Sequence, residues 1–233
     1  GFLQLQRVDW NSPAQLLEQI IRHEAVHEID GWDDLRRRLQ PDRRCFAFFH
    51  PQLPAEPLIF VEVALVDRIS DSIAPLLDEA AAPCDISKAT TAIFYSISNT
   101  QTGLRGVSFG DSLIKHVVET LKQEFPRLRT FATLSPMPGL RAWLGKHSGA
   151  MLERLDERHR AELGRALGVE PPQAAHLLAA FDKAQALDDR SPVRQMLLQC
   201  AAHYLARELV DGKPVDPVAR FHLGNGARVE RLN

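Results

Sequence analysis

The sequence of 233 residues predicts an α+β fold, and three observations lead to it. Runs rich in β-branched and aromatic residues alternate with helical segments over the first 145 residues. Residues 150–210 carry helical apolar periodicity almost throughout. The hydrophobic fraction of 45% and the charged fraction of 25% are typical of a globular protein with a substantial core.

The first elements are two helices followed by strands. Ser12 is a good N-cap with Pro13 in the first helical position, and a second, short helix is expected from Trp32 to Leu39. Strands are predicted over residues 45–49, 58–66, 91–97 and 129–134, and an acidic helix-and-loop segment over residues 72–88.

A glycine-containing loop follows the third of these strands. Gly103, Gly106 and Gly110 lie between the strand and an amphipathic helix that is expected from Asp111 to Phe125. Such a loop at the carboxyl end of a strand, followed by a helix N-terminus, can hold an anion through backbone N–H groups. The spacing matches neither a P-loop nor G-x-G-x-x-G, so a plain turn is an equal alternative, although Arg105 and Lys115 favour a pyrophosphate.

The last third of the chain is predicted to be helical and then extended. The helices of residues 150–210 form an insertion between the main sheet and a last strand around Phe221, His222 and Leu223. Ser135 follows a strand between two prolines, where a hydroxyl is held stiffly but is equally a good N-cap. His222 adjoins a tightly specified Gly-Asn-Gly backbone, and spacing alone leaves its role open between structural and catalytic.

Charge and cysteine content exclude several classes of function. A net charge of −2 argues against a general nucleic-acid binder, while the net charge of +4 over residues 101–150 suits a small anionic ligand. The three cysteines are widely spaced, which argues against a disulfide framework and indicates a reducing compartment. No apolar run approaches the ~18 residues that a membrane helix needs, and no secretory signal is visible.

One motif points to zinc and is discounted. Residues 23–27 read H-E-A-V-H, which matches the zinc-protease pattern H-E-x-x-H. The pattern requires a continuous helix and a further ligand, yet Ile29-Asp30-Gly31 is expected to end the helix within a turn. The preferred interpretation is two polar histidines at an exposed helix end.

Four long segments resemble the malonyl-CoA decarboxylase family. They are GFLQLQRV at residues 1–8, AIFYSISNTQ at residues 92–101, LSPMPG at residues 134–139 and PVARFHLGNGA at residues 217–227. The resemblance covers residues 1–233 as one catalytic domain and is weakest over residues 145–215. It implies a GNAT-like mixed β-sheet flanked by helices. It also implies that the family's N-terminal helical domain and C-terminal end lie outside this chain.

The resemblance assigns roles to particular residues. It implies that Ser135 and His222 are the catalytic pair, and that both also contact the substrate. It places the CoA-binding loop on seven consecutive residues, namely Arg105, Gly106, Val107, Ser108, Phe109, Gly110 and Asp111. The loop departs from the GNAT pattern Q-x-x-G-x-G, because two residues separate Val107 from Gly110.

The implied reaction is the decarboxylation of malonyl-CoA to acetyl-CoA and CO2 through a thioester enolate. We expect a backbone oxyanion hole near residues 96–98 and no metal or other cofactor, since the thioester delocalises the charge. The resemblance further implies a homo-oligomer, located in the cytoplasm of a bacterium or in the mitochondria, peroxisomes or cytosol of a eukaryote. Alternative functions are a GNAT-type acetyltransferase and a non-catalytic acyl-CoA sensor.

Overall fold

The structure, a computed structural model, describes residues 3–104 and 109–233. Its residues cluster into two compact units, Gly1–Ser135 and Pro136–Asn233. The first unit contains the main sheet and the second is largely helical. The α+β class with a mixed sheet is therefore confirmed.

The first unit is a five-stranded sheet with helices on both faces. Its elements are β1 (Gln4–Val8), α1 (Ala14–His23), α2 (Trp32–Arg37), β2 (Arg43–His50), β3 (Leu53–Val66), α3 (Ala74–Leu77), β4 (Thr91–Asn99), α4 (Phe109–Glu124) and β5 (Thr130–Thr133). The strand order is β1-β2-β3-β4-β5. The first four strands are antiparallel, and β5 runs parallel to β4.

Alternation along β3 explains why helices cover both faces of the sheet. Val61, Val63 and Leu65 lie in one buried cluster with the apolar stripe of α4, whereas Phe60 lies in a second buried cluster with residues of α1. Successive strand side chains point to opposite faces, so the two clusters lie on opposite sides of the sheet. Each fully buried aliphatic side chain contributes about 1.5–3 kcal/mol to this packing.

Most elements of the first unit agree with those predicted from the sequence. The four predicted strands are observed, three of them longer than predicted and β5 (Thr130–Thr133) shorter than the predicted 129–134, while β1 was not predicted from its residue pattern. The predicted helix from Asp111 to Phe125 is observed as α4, and the acidic segment contains only α3 and a 3-10 turn at Ile86–Lys88.

The second unit packs its helices around one buried cluster. Its elements are α5 (Leu140–Glu153), α6 (Glu157–Leu167), α7 (Ala174–Phe181), α8 (Pro192–Arg207), β6 (Leu209–Val210), β7 (Lys213–Pro214) and α9 (Pro217–Gly224). Trp143, Leu163, Leu177 and Cys200 lie in the buried cluster, which holds four of the helices together. The helices expected over residues 150–210 are thus confirmed.

The strand expected around Phe221, His222 and Leu223 is wrong, because these residues belong to α9. Asp216 is the N-cap of this helix, and its side chain accepts hydrogen bonds from the N–H groups of Val218 and Ala219. An aspartate followed by Pro217 in the first helical position is a strong helix-start signal, and it overrides the strand character of the residues that follow.

Candidate functional site

One edge of β4 extends beyond its parallel neighbour. The strand β5 pairs with residues 91–94 of β4, and the N–H of Leu134 donates to the carbonyl of Phe94 at 3.1 Å. The strand β4 then continues to Asn99 along β3 alone. Within the described ranges, no strand pairs with this edge of β4 after Phe94, so the edge offers backbone groups to a ligand.

A register shift between β3 and β4 lies next to the point where β5 stops pairing with β4. Glu62 of β3 pairs with Ser96, while Val63 pairs with Phe94, so Tyr95 is an extra residue in β4. Such a bulge bends the strand and redirects its side chains and backbone groups. The backbone oxyanion hole predicted near residues 96–98 falls on the part of β4 that follows this bulge.

The loop after α1 is joined to the same part of β4 by side-chain hydrogen bonds. Both carboxylate oxygens of Glu24 accept from the Ser96 hydroxyl, at 2.8 and 2.7 Å. The Ser98 hydroxyl oxygen accepts from the N–H of Ala25 at 3.0 Å. Ser96 and Ser98 are both buried, and their hydroxyl oxygens lie 3.4 Å apart.

Arg38 holds the other end of this loop from inside the protein. Its guanidinium donates to the carbonyls of His27 and Glu28, at 2.8 and 2.9 Å. It also contacts the Asp34 carboxylate at 2.8 Å and the Glu62 carboxyl group at 3.2 Å. Arg38 is only 2% exposed, so its charge needs the Asp34 carboxylate and these hydrogen-bond acceptors to compensate for lost hydration.

Glu62 is a buried acid in an environment that favours its neutral form. Burial, followed by the nearby charge of Glu24, raises the pKa of Glu62 to about 8, against the opposing effect of Arg38. The same burial raises the pKa of the Tyr95 phenol well above its usual value and lowers that of His27. The carboxyl group of Glu62, which pairs with Ser96 of β4 in the sheet, is therefore largely protonated at neutral pH.

The H-E-x-x-H pattern does not form a zinc-binding helix. The helix α1 ends at His23, and Glu24 is its C-cap. The two histidines are therefore not one helical turn apart on a continuous helix, which the zinc motif requires. The helix ends earlier than expected, and the glutamate instead accepts the N–H groups of Val26 and His27, at 2.7 and 2.8 Å.

Ser135 lies just past a strand, as predicted from the sequence. It is the last residue of the first unit, two positions past the end of β5, and its side chain is exposed. Its catalytic role stays a prediction.

His222 lies in the second unit on α9, where it is half-buried. Burial lowers the pKa of its imidazole, so the ring is mostly neutral at pH 7. The start of α9 is fixed by Asp216, which is fully buried and whose second oxygen accepts from the Tyr204 hydroxyl at 3.1 Å and from the N–H of Gly139 at 3.3 Å.

Gly139 allows this close arrangement, because a Cβ atom at that position would overlap the Tyr204 hydroxyl.

The predicted CoA-binding loop is only partly visible. Residues Arg105, Gly106, Val107 and Ser108 lie outside the described residues. Phe109, Gly110 and Asp111 form the first turn of α4, and Asp111 pairs with Lys115 at 2.7 Å. The strand before the predicted loop and the helix after it are therefore observed, and the loop's phosphate contacts stay a prediction.

Sequence analysis missed Glu24, Arg38 and Asp216 as parts of these sites. Glu24 was considered only as part of a metal motif, and Arg38 carried no pattern of its own. Asp216 could have been found from the Asp-Pro pair that begins α9.

Two properties of the described residues bear on other functions. No helix of residues 3–104 or 109–233 is long and apolar enough to cross a membrane. In the same residues, no group of three or more histidine, cysteine, aspartate or glutamate side chains is arranged to hold a metal ion.

These features define an α+β protein in which strand β4 extends beyond its parallel neighbour β5. The family model described as the malonyl-CoA decarboxylase C-terminal domain matches residues 1–233. The chain is 39% identical over 244 residues to mitochondrial malonyl-CoA decarboxylase of Anser anser anser and 38% identical to that of Rattus norvegicus. Each of these matches covers 100% of the chain, and 48% and 49% of the relatives, respectively.

Solved structures agree with this result. Crystal structures of malonyl-CoA decarboxylase from Rhodopseudomonas palustris and Agrobacterium vitis share 52% and 51% identity with the chain, with TM-scores of 0.80 and 0.81. The matches cover 98% and 99% of this chain and 53% and 55% of those chains. The chain belongs to the malonyl-CoA decarboxylase family, and it spans about half the length of the curated relatives it matches.

Proposed function

We propose that this protein decarboxylates malonyl-CoA to acetyl-CoA and CO2. The single observation that supports the proposal most strongly is the family match over residues 1–233. The edge of β4 after Phe94 adds a structural argument, since it can present backbone donors to a thioester oxygen. The alternatives are an acetyltransferase and an acyl-CoA sensor.

The reaction moves one electron pair and one proton. The bond between C2 and the carboxylate carbon breaks, CO2 leaves, and the electron pair passes to C2 and the thioester oxygen as an enolate. A proton then adds to C2 and gives acetyl-CoA. Because the thioester takes up the charge, the protein has only to stabilise the oxygen and supply the proton, and we propose that no metal or other cofactor is needed.

Charge on the thioester oxygen would be stabilised by backbone donors near Ser96 and Ser98. Loss of one donor in comparable sites costs about 3–4 kcal/mol, which is about 10²–10³-fold in rate. The bulge at Tyr95 and the buried hydroxyls of the two serines support this placement.

Ser135 and His222 would handle the malonyl group and the proton. His222 is assigned as the acid that protonates C2, and its neutral imidazole can donate through one ring N–H. Ser135 would hydrogen-bond the malonyl carboxylate and relay the proton. General acid catalysis of this kind contributes about 10²–10⁴-fold to the rate.

The CoA phosphates would bind at residues 105–111, through backbone N–H groups and the positive end of the α4 helix dipole. The described start of α4 at Phe109 supports this assignment. We further propose that copies of the chain associate, and that it acts where malonyl-CoA is made or consumed, in the cytoplasm of a bacterium or in the mitochondria, peroxisomes or cytosol of a eukaryote.

Malonyl-CoA supplied without any acceptor tests the function. Mass spectrometry of the products should show acetyl-CoA that gains one deuterium at C2 when the reaction runs in D2O. Unchanged malonyl-CoA that binds the protein would indicate a sensor, and turnover only after an amine is added would indicate an acyltransferase.

A further inference from the structure

Residues 24–28, which we call the clamp loop, follow α1 and form hydrogen bonds with the part of β4 that extends beyond β5. The loop begins where α1 ends, and the Glu24 N–H still donates to the carbonyl of Ile20 at 3.1 Å. From Glu24 onward the chain leaves the helix and turns towards the sheet. Its side of the sheet also carries Glu62, which pairs with Ser96 across β3 and β4.

The Glu24 carboxylate is saturated by donors from two different segments. It accepts two backbone N–H groups of its own loop, from Val26 and His27, and the hydroxyl of Ser96. A carboxylate that accepts several hydrogen bonds at 2.7–2.8 Å makes charge-assisted contacts, which are about twice as strong as neutral ones. One side chain therefore fixes both the fold of the clamp loop and the position of Ser96.

The two ends of the clamp loop are held independently. The Ala25 N–H donates to Ser98, and the carbonyls of His27 and Glu28 accept from Arg38. Because Arg38 is itself anchored on Asp34 and Glu62, the loop cannot shift without breaking its hydrogen bonds to a buried guanidinium that is fixed in place. The clamp loop is therefore a rigid brace against Ser96 and Ser98.

We propose that Glu24 is a positioning residue that sets the geometry of the thioester-binding edge of β4, which assigns a function to the H-E-x-x-H segment. This inference rests on the proposed function for the identity of the acyl group. The strand segment 95–99 has β3 on one side only, so its exact placement depends on contacts from the clamp loop. A displacement of about 1 Å at a reacting centre can cost on the order of 100-fold in rate.

The test compares Glu24→Gln and Ser96→Ala with a matched control, Asp85→Asn. Asp85 also accepts a backbone N–H and a serine hydroxyl, both from Ser87, but it lies in an exposed turn of the same unit. We expect kcat for malonyl-CoA to fall about 10- to 100-fold in the first two variants with little change in CoA affinity, and to stay unchanged in Asp85→Asn. The double variant should be no slower than the slower single one, because both substitutions weaken the same contact between Glu24 and Ser96, Glu24→Gln by removing the charge and Ser96→Ala by removing the donor.

A spectroscopic measurement separates this inference from the proposed function. The carbonyl stretch of ¹³C-labelled acetyl-CoA should shift to lower frequency on binding to the wild type and to Asp85→Asn, and should return towards the free value in both Glu24→Gln and Ser96→Ala. A purely structural role would lower thermal stability but leave the carbonyl frequency of the folded protein unchanged. If Glu24→Gln does not fold, Ser96→Ala decides the outcome.

The wild-type carbonyl shift persisting in Ser96→Ala or Glu24→Gln would overturn the positioning role, as would no carbonyl shift in the wild type. A wild type that binds acetyl-CoA with the shifted carbonyl but releases no CO2 would instead refute the proposed function and leave the positioning role supported.

Discussion

The carboxylate of Asp216 accepts a hydrogen bond from the Tyr204 hydroxyl at 3.1 Å while its other oxygen caps α9. Asp216 is fully buried, and Tyr204 is only 2% exposed. This contact joins the last long helix of the second unit to the helix that carries His222. The position of the proposed acid therefore depends on a buried aspartate six residues before it.

Replacing Asp216 by asparagine should lower both stability and activity. In the variant, the side-chain oxygen would still cap α9 and the NH2 group would face the Tyr204 hydroxyl and the Gly139 N–H, which are also donors. These two buried donors would lose their acceptor, at a cost of about 1–3 kcal/mol. We expect a lower Tm and a lower kcat, with CoA affinity retained.

Asp156→Asn is the control for helix capping, since Asp156 caps α6 in the same unit at an exposed position by accepting from the His159 N–H. Calorimetry and steady-state kinetics of the two variants check the prediction. Normal kcat in folded Asp216→Asn would show that the cap does not position His222.

The raised pKa of Glu62 predicts that the free energy of unfolding depends on pH with a definite sign. Its pKa is about 8 in the folded protein, against a reference value of 4.5, so the folded state binds the extra proton between these values. The free energy of unfolding therefore receives a contribution that decreases as pH rises from about 4.5 to about 8 and is constant above that.

Glu62→Gln should remove this contribution, because glutamine imitates the neutral carboxyl group and can still accept from Arg38. Urea unfolding from about pH 5 to about pH 9 measures the effect as a shallower loss of stability in the variant. Parallel pH profiles for the variant and the wild type would contradict the assignment of the proton to Glu62.

Substitutions in the glycine loop should weaken CoA binding selectively. Gly106→Val or Gly110→Val places a side chain where the phosphate oxygens are predicted to approach the backbone. Gly103→Val is the matched control, since Gly103 lies outside the predicted CoA-binding residues 105–111 and a Cβ atom there meets no described atom within 4 Å beyond its chain neighbours. Isothermal titration with CoA should show weaker binding in the first two variants only. Equal affinity in all three folded variants would place the CoA phosphates elsewhere.

Ser135 and His222 should behave as one catalytic unit. His222→Asn is expected to lower kcat strongly, by about 10²–10⁴-fold, without a large change in CoA affinity. Ser135→Ala should lower kcat and weaken malonyl-CoA binding more than acetyl-CoA binding. If the two residues share one step, the double variant should be little slower than the slower single variant. Steady-state rates at saturating malonyl-CoA measure all three, and multiplicative losses would assign the residues to separate steps.

The sequence predicted the elements whose signal is local. The alternation in β3 and the apolar stripe of α4 are sufficient to identify a strand and a helix. The helix α9 was mistaken for a strand because its apolar residues outweighed the Asp216-Pro217 start signal. The strand β1 was missed because most of its side chains are exposed or half-buried, so its pairing with β2 determines its structure.

From the sequence, the candidate site could be predicted only at positions where a single residue or a short segment suggests a role by itself. The glycine loop was predicted from its place between a strand and a helix. Catalytic roles for Ser135 and His222 came from the family resemblance, and Ser96 and Ser98 were chosen for their place at a strand end. Contacts between distant segments, such as those of Glu24 with Ser96 and of Arg38 with Glu62, depend on tertiary packing that no spacing in the sequence reveals.

Release of CO2 from malonyl-CoA labelled in its free carboxyl group is the most direct test of the proposed activity. The purified wild-type chain, given no acceptor, should release one CO2 for each acetyl-CoA formed, over many turnovers. His222→Asn, prepared in parallel, should release far less, which excludes a contaminating enzyme. Binding of malonyl-CoA with no labelled CO2 above the His222→Asn background would contradict the account.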